Sequence, residues 1–564
     1  MRTDDFNLID EPWIKVRTAD AQVKELSLED VFQQAHEIRA IAGELPTQDA
    51  AILRLLLAVL HTVFSRVDLD GEPSPLEEKD DALDRWQELW DGKQFPMEPL
   101  QTYLDSVKER FWLFDEEYPF YQFPEAKELS KGEVKCKASK LNGSINESNN
   151  KARLFMGRHG EEKESLSYAE AARWLVHTVA YDDSTVKPTA AFNQRKANTK
   201  DKTESPGCGW MGKLGLVYAE GDNLFETLML NLVFCPNAQW DEDHQEENPV
   251  WEWKDLSIQE RKKVICPDNM AELLTFPSRC FLLERNNGRV IGAYPVGGMY
   301  FDEAAPLEQM TVRQGYTERK NTSPHKIFEP EKHEEGAFFW QEFVSLLTQS
   351  EAEKDCRPGV VQWINYLQSC DADTLDPEKL IRFSSVSMDY GDKGGSFKDA
   401  RFDSLRLHTG LLSELGESWR KLISDEISFS KRIADKVKFL AQDLYIAENG
   451  SVGEDIVDNR KKDAVIRAGK NACIRFYGAL DVHFRRWLES ISVSSSDEEE
   501  KRKEWRELVL KEAASLAVEL VNHAGPAAYQ GKWIEHKKEK TKKLYSAPKA
   551  WANFRRGLNY LKKT

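Results

Sequence analysis

The sequence predicts an α+β protein: a large mixed N-terminal domain, residues 1–405, followed by a C-terminal antiparallel four-helix bundle, residues 406–564. Three observations lead there. The chain has 564 residues, and at roughly 150 residues per domain it holds about two to four domains. Before residue 405, strand-like and helix-like apolar runs alternate with long polar stretches. After residue 409 only helical apolar spacing recurs, in segments joined by polar links.

In chain order, Phe6 to Val16 reads as a short strand and turn, its apolar residues broken by Asp10-Glu11-Pro12. A helix then opens at Pro46-Thr47. Ile52, Leu55, Leu56, Val59, Leu60 and Val63 recur at helical spacing, and Leu53 and Leu57 make it apolar nearly all round, so it belongs to the core. Residues 127–165 lack apolar periodicity and hold one apolar trio, Leu154-Phe155-Met156. Long loops of this kind are functional or disordered. Tyr168–Ala180 reads as helix. Lys187 to Gly215 is polar, with six Lys/Arg against two acids. Residues 273–300 read as strands around an Asn-Gly turn, and Ser384 to Phe402 as a third irregular stretch. The bundle is marked by Leu412, Leu415, Trp419, Leu422 and Ile423, then by Ile433, Val437, Leu440 and Leu444. Ala464 to Ile491, Trp505 to Leu520 and Trp551 to Leu561 supply its other helices. In the link VSSSDEEE, Ser496 is the expected cap, and acids fill the next first turn. No internal repeat occurs.

Composition narrows the chemistry. The 16 Trp and 27 Phe suit a large core. No long uncharged apolar stretch predicts a membrane span. The acidic start, MRTDDFNLIDEPW, lacks the basic and apolar regions of a signal peptide. The eight cysteines are scattered without a CxxC pair, which argues against a four-cysteine zinc site and fits a reducing cytoplasm. The closest histidines, His325 and His333, stand eight apart, and HExxH, GxSxG and Walker motifs are missing, so no catalytic or metal centre assembles. Asp241-Glu242-Asp243 reads as a solvated loop. A net charge of −18 opposes broad DNA binding, yet basic excess is local. GCGWMG, residues 207–212, matches GxGxxG, but KANTKDKTESP before it is no buried strand, which rules against a dinucleotide fold. Two readings stay open: a plain loop, or a glycine turn whose backbone approaches a nucleic-acid strand. Residues 532–563 carry eleven Lys/Arg and two acids among Trp533, Tyr545, Trp551 and Phe554. They suit a nucleic-acid backbone groove or an ordinary solvated bundle face.

Four motifs carry a resemblance: Phe6-Asn7-Leu8-Ile9-Asp10-Glu11-Pro12-Trp13-Ile14, Gly43-Glu44-Leu45-Pro46-Thr47-Gln48-Asp49, Glu117-Tyr118-Pro119-Phe120-Tyr121-Gln122 and Leu273-Leu274-Thr275-Phe276-Pro277-Ser278-Arg279. With the closing bundle, the whole chain resembles the CasA family, the large subunit of the type I-E CRISPR Cascade complex. The resemblance implies a non-catalytic, cytoplasmic subunit without cofactor or membrane. Its implied partners are double-stranded target DNA, the guide RNA 5′ end, the backbone and small Cascade subunits, and an effector helicase–nuclease or other nuclease. It also implies reading of the PAM largely from the minor groove, duplex opening, R-loop formation and nuclease docking. Phe155, Met156, Gly157 and Arg158 match the family loop that contacts the guide. Gly207, Gly209 and Gly212, with Lys213, match the glycine loop beside the PAM. Tyr390 to Ser396 matches the duplex-splitting hairpin; the family glutamine is missing there, so either Lys393 does the wedging or the wedge is built differently, and Gly394 beside it is a candidate DNA contact. Arg313, Arg319 and Lys320 are candidates for the lysine that probes the minor groove. Two other function classes stay open, a metal-dependent nucleic-acid enzyme and a purely structural helical adaptor.

Overall fold

The computed structural model describes residues 6–147, 157–185, 207–236, 240, 246–254, 267–297, 307–320, 323–333, 337–347, 357–369, 375–391, 396–450, 459–536 and 541–562. Within these, 313–329, 344–345, 369, 459–462, 535–536 and 541 are described by backbone alone. Phe155, Met156, Lys393 and Gly394 lie outside the described residues, as do Asp241-Glu242-Asp243 and the basic run 187–206. The chain forms two compact units. The first takes Met1–His333, Gln349–Thr374 and Ile381–Ser404. The second takes Leu405–Thr564 together with two earlier segments, Glu334–Thr348 and Leu375–Leu380.

The first unit is built around the Pro46–Phe64 helix. Pro46 occupies its first turn, where a missing N–H costs nothing. Ile52, Leu55, Leu56, Val59 and Leu60 are almost wholly buried, and so are Leu53 and Leu57. By length and composition this helix could cross a membrane, but its apolar surface is already covered by its own unit. Arg54 sits in the middle of it, 1% exposed, and its guanidinium meets Glu308 at 2.9 Å. A buried charge persists only with such a partner.

Small antiparallel sheets surround the helix. β1 (Ile14–Thr18) pairs with β2 (Val23–Leu26) and β3 (Ile38–Ile41), in the order β2-β1-β3. A second sheet joins β4 (Cys136–Lys137), β7 (Arg289–Gly297) and β6 (Arg279–Asn286). Asn287 (φ 50°) and Gly288 (φ 73°) make the β6–β7 turn, the paired left-handed residues that two-residue hairpins demand. Leu273 and Leu274 lie in the short helix Met270–Thr275 and not in a strand, because Asn269 caps it through Glu272 N–H (2.8 Å). A third sheet has the order β11-β10-β5, from β5 (Leu216–Glu220), β10 (Leu380–Tyr390) and β11 (Phe397–His408). Ser384–Phe402 is therefore mostly strand and not irregular. Its serines conceal the pattern: Ser384, Ser385 and Ser387 are buried beside Phe383, Val386 and Met388, so no polar face marks the alternation. β8 (Arg313–Lys320) and β9 (Ser323–Pro330) form a two-stranded ribbon.

In the second unit, the helices Glu417–Asn449, Asn459–Glu489, Glu498–Asn522 and Ala547–Leu561 alternate in direction. Cys473 reaches Ala434 O, Arg475 pairs with Glu519 at 2.6 Å, and Trp487 Nε1 donates to Lys501 O (2.9 Å). Trp505 Nε1 donates to Ser430 Oγ (3.1 Å), and Phe484, Trp487 and Trp505 pack ring to ring at 5.2–5.6 Å. Two local expectations fail. Leu415 is 80% exposed in a short turn before the first helix. The third helix is capped by Asp497, whose carboxylate accepts from Glu500 N–H, while Ser496 Oγ accepts from Ser492 N–H within the link. The basic tail begins as a hairpin, β12 (Lys532–His536) and β13 (Thr541–Tyr545), with Trp533 69% exposed. Phe554, Leu558 and Leu561 then bury the last helix against the bundle and leave Arg555 and Arg556 in solvent.

Candidate nucleic-acid interface

The Tyr168–Tyr181 helix places the candidate site. Ser167 and Glu170 cap its start reciprocally, at 3.2 and 3.0 Å. Arg158, expected at the guide, pairs with the same Glu170 carboxylate at 2.6 Å. Gly157 beside it is exposed, with open space where a side chain would stand.

The glycine loop packs against the far end of that helix. Gly209 N–H donates to Asp182 O at 2.9 Å. A Cβ on Gly209 would overlap Ala180 O and lie 2.7 Å from its carbonyl carbon. One on Gly212 would overlap Tyr390 Oη and lie 2.9 Å from Cζ. Both glycines are buried. Their missing side chains thus make room for the chain's own backbone and for Tyr390, and this corrects the expectation that they leave room for DNA. Gly207 is different: it is half-buried, at φ +80° in the left-handed region, with only Lys213 Cε (3.8 Å) near its Cβ position. Trp210–Lys213 is a single 3-10 turn leading into β5, so no helix follows the glycines and a dinucleotide fold is excluded.

Two buried ion pairs anchor the loop. Trp210 Nε1 donates to Glu308 Oε2 (2.8 Å), already paired with Arg54. Although burial raises the Glu308 carboxyl, Arg54 and Trp210 bring it below its ordinary range. Arg279 pairs with Asp182 (3.2 Å) and also donates to Ser278 O (2.8 Å) and to Gly207 O. Ser278 Oγ accepts from Trp210 N–H (3.1 Å) and donates to Val179 O (2.9 Å). Ser278 and Arg279 end the Leu273–Arg279 motif, which the sequence singled out without giving them a task.

The β10–β11 hairpin reaches the same place. Tyr390 donates its hydroxyl to Tyr181 O (2.5 Å) and packs on Phe397 at 5.6 Å. Gly391 N–H donates to Ser396 O (2.8 Å), which ties the end of β10 to the start of β11. Asn146 Nδ2 donates to Phe397 O (3.3 Å), so the polar loop after residue 127 joins as well. His177 lies beneath, its Nε2 3.0 Å from Thr47 Oγ1. Burial holds its imidazole down to about 3, so the ring is neutral at physiological pH. The half-buried Lys213 places its ammonium 6.0 Å from the Trp210 ring, and the exposed Lys332 stands 5.1 Å from the Tyr390 ring. Lys332 was missed by sequence reasoning, since a single lysine carries no pattern. Arg313 and Lys320 are the first and last residues of β8, described by backbone alone.

This surface offers cations, a glycine turn and a hairpin on rigid supports, which suits a polyanion backbone. Among the described residues no group of three or more His, Cys, Asp or Glu could hold a metal ion.

The family model for the CRISPR-associated protein Cse1 matches residues 7–516. The CRISPR-associated protein CasA/Cse1 of Thermus thermophilus is 26% identical over 444 residues, 78% of each chain. The crystal structure of Thermobifida fusca Cse1 is similar at a TM-score of 0.77 and 26% identity, covering 100% of this chain and 98% of that one. A chain of a structure described as a CRISPR RNA-guided surveillance complex shares the fold, at a TM-score of 0.67 and 17% identity over 99% of both. With the model spanning most of the sequence and the fold reproduced from end to end, the chain belongs to the Cse1 (CasA) family of Cascade large subunits.

Proposed function

We propose that this chain is a non-catalytic, cytoplasmic subunit that reads the PAM in double-stranded DNA, promotes duplex opening and R-loop formation, and docks the effector nuclease. The carrying observation is the junction at Tyr390. One side chain fills the space left by Gly212, bonds the end of the Tyr168–Tyr181 helix, and forms the base of the hairpin turn. The glycine loop and the hairpin are thereby one rigid surface, as reading a duplex and splitting it side by side requires. Gly207 and Lys213 face the backbone or minor-groove edge in this reading, and Lys393 enters below the adjacent base pair. Gly157 and Arg158 continue toward the guide RNA, and the bundle meets neighbouring subunits.

The test is PAM-dependent binding and strand opening by a reconstituted complex, with base-analogue fluorescence. Lys213→Ala should weaken PAM-dependent affinity without loss of assembly. Lys393→Ala should slow opening on linear DNA more than on supercoiled DNA, because supercoiling supplies opening energy. Wild-type affinity and opening rates in both variants would refute the assignment. DNA cleavage by the purified chain with divalent metal would favour the enzyme reading instead.

A further inference from the structure

The first unit contains a cavity of about 380 Å³ lined by none of the glycine-loop residues. That volume falls in the range of small-molecule sites. Its walls come from β1, β3, β5, the first turns of the Pro46–Phe64 helix and the helix Leu224–Asn231. Leu53 and Leu224 give it an apolar wall, and Phe402, 49% exposed, leaves a ring at its edge.

Asp49 projects into this space with only half of its carboxylate satisfied. Oδ1 accepts from Gly43 N–H at 2.6 Å. Oδ2 has no hydrogen-bond donor among the described residues. The charges around it are otherwise committed. Glu44, on the preceding loop, is held by Lys15 (2.6 Å) and Arg173 (3.0 Å). Glu220 on β5 is held by Arg382 on β10 (3.5 Å) and by Ser384. The Tyr218 hydroxyl, on β5, is pushed well up by burial and stays neutral. Arg17 on β1 lies in solvent at the rim. Burial, reinforced by Glu44 and Glu220 against the Gly43 N–H and Arg17, pushes the Asp49 carboxyl up to about 7.

We propose that this cavity binds a small organic cation, an ammonium group donating to Asp49 Oδ2 from an apolar body packed between Leu53, Leu224 and Phe402. An anion would meet two carboxylates in the walls, and the Arg382 charge is already spent on Glu220. A purely apolar guest would leave the Asp49 oxygen without a donor. The proposal is independent of the DNA-reading surface and stands or falls separately from it.

The test uses the full chain without nucleic acid and three probes of one shape: phenethylammonium, 2-phenylethanol and 3-phenylpropanoate, followed by ligand-observed NMR and calorimetry. Phenethylammonium is expected to bind, and the alcohol and the carboxylate to bind at least roughly tenfold more weakly. Its affinity should rise about tenfold from pH 6 to pH 8 as Asp49 ionises. Asp49→Asn, which can keep the bond from Gly43, should abolish both the preference for the cation and the pH dependence. Equal binding of the alcohol, preference for the carboxylate, a flat pH profile, or no binding of the ammonium probe would overturn the proposal. The wild-type pH profile decides the matter even if Asp49→Asn fails to fold.

Discussion

Replacing Gly212 by alanine tests the junction that organises the site. The new Cβ would overlap the Tyr390 hydroxyl oxygen and lie 2.9 Å from Cζ and 3.1 Å from Cε2. The ring cannot yield without breaking its hydroxyl's 2.5 Å bond to Tyr181 O. Overpacking of this kind costs about 1–3 kcal/mol. The lost hydrogen bond adds about 1 kcal/mol and leaves a carbonyl without its donor. Gly212→Ala should therefore lose about 2–4 kcal/mol. Tyr390→Phe alone should lose about 1–3 kcal/mol. In the double variant the overlapping oxygen is gone and only the tight ring carbons remain, so the loss should fall about 1 kcal/mol or more short of the sum. Urea unfolding of the full chain measures all four corners of the cycle, and strand opening by the assembled complex should follow the same order. Losses that add to within about 0.5 kcal/mol would show that the two residues do not share the space, and the junction argument would fail.

Other perturbations follow from the same geometry. Gly209→Ala should be costlier than Gly212→Ala, because the obstruction is the Ala180 carbonyl at a helix end and not a movable ring; equal urea midpoints would contradict this. Gly207→Ala should cost only about 1–2 kcal/mol, the penalty of a left-handed backbone without a clash. Arg54→Met strands the buried Glu308 and should cost about 3–5 kcal/mol, whereas Arg54→Met with Glu308→Leu should recover part of it, read as Tm. Glu44 is held down to about 2 because Arg173 and Lys15 outweigh its burial. Its contribution is complete above its ordinary value of 4.5 and is lost as pH falls toward 2. An acid titration of stability should lose up to about 3 kcal/mol in that window in wild type but not in Glu44→Gln.

Much of the candidate site was legible in the sequence, and the rest was hidden for identifiable reasons. GCGWMG, the Leu273–Arg279 motif and the Tyr390 turn each stood out locally, yet their mutual contact did not. Tyr181, Gly209, Gly212, Ser278, Arg279 and Tyr390 meet, the Tyr390–Tyr181 bond alone joining residues 209 apart, through contacts that no periodicity encodes. Phe155, Met156, Lys393 and Gly394 lie outside the described residues and keep the standing the family resemblance gave them.

Apolar spacing by itself determined the buried Pro46–Phe64 helix and the alternating bundle, because those patterns repeat over neighbouring residues and report one face at a time, and the Asn287-Gly288 pair determined its hairpin through the left-handed backbone such a turn needs. The motifs at residues 6–14 and 43–49 identified the family for the same reason, being contiguous. Only the tertiary structure decided that the space beside Gly209 and Gly212 is filled by the chain itself, while Gly207, Cys208 and Lys213 stay half-buried. A glycine reads identically in sequence whether its missing Cβ makes room for a ligand or for the chain itself. The answer lies in which atom packs there, and Ala180 O and Tyr390 Oη reach those places only when the Tyr168–Tyr181 helix, the loop and the β10–β11 hairpin close on one another.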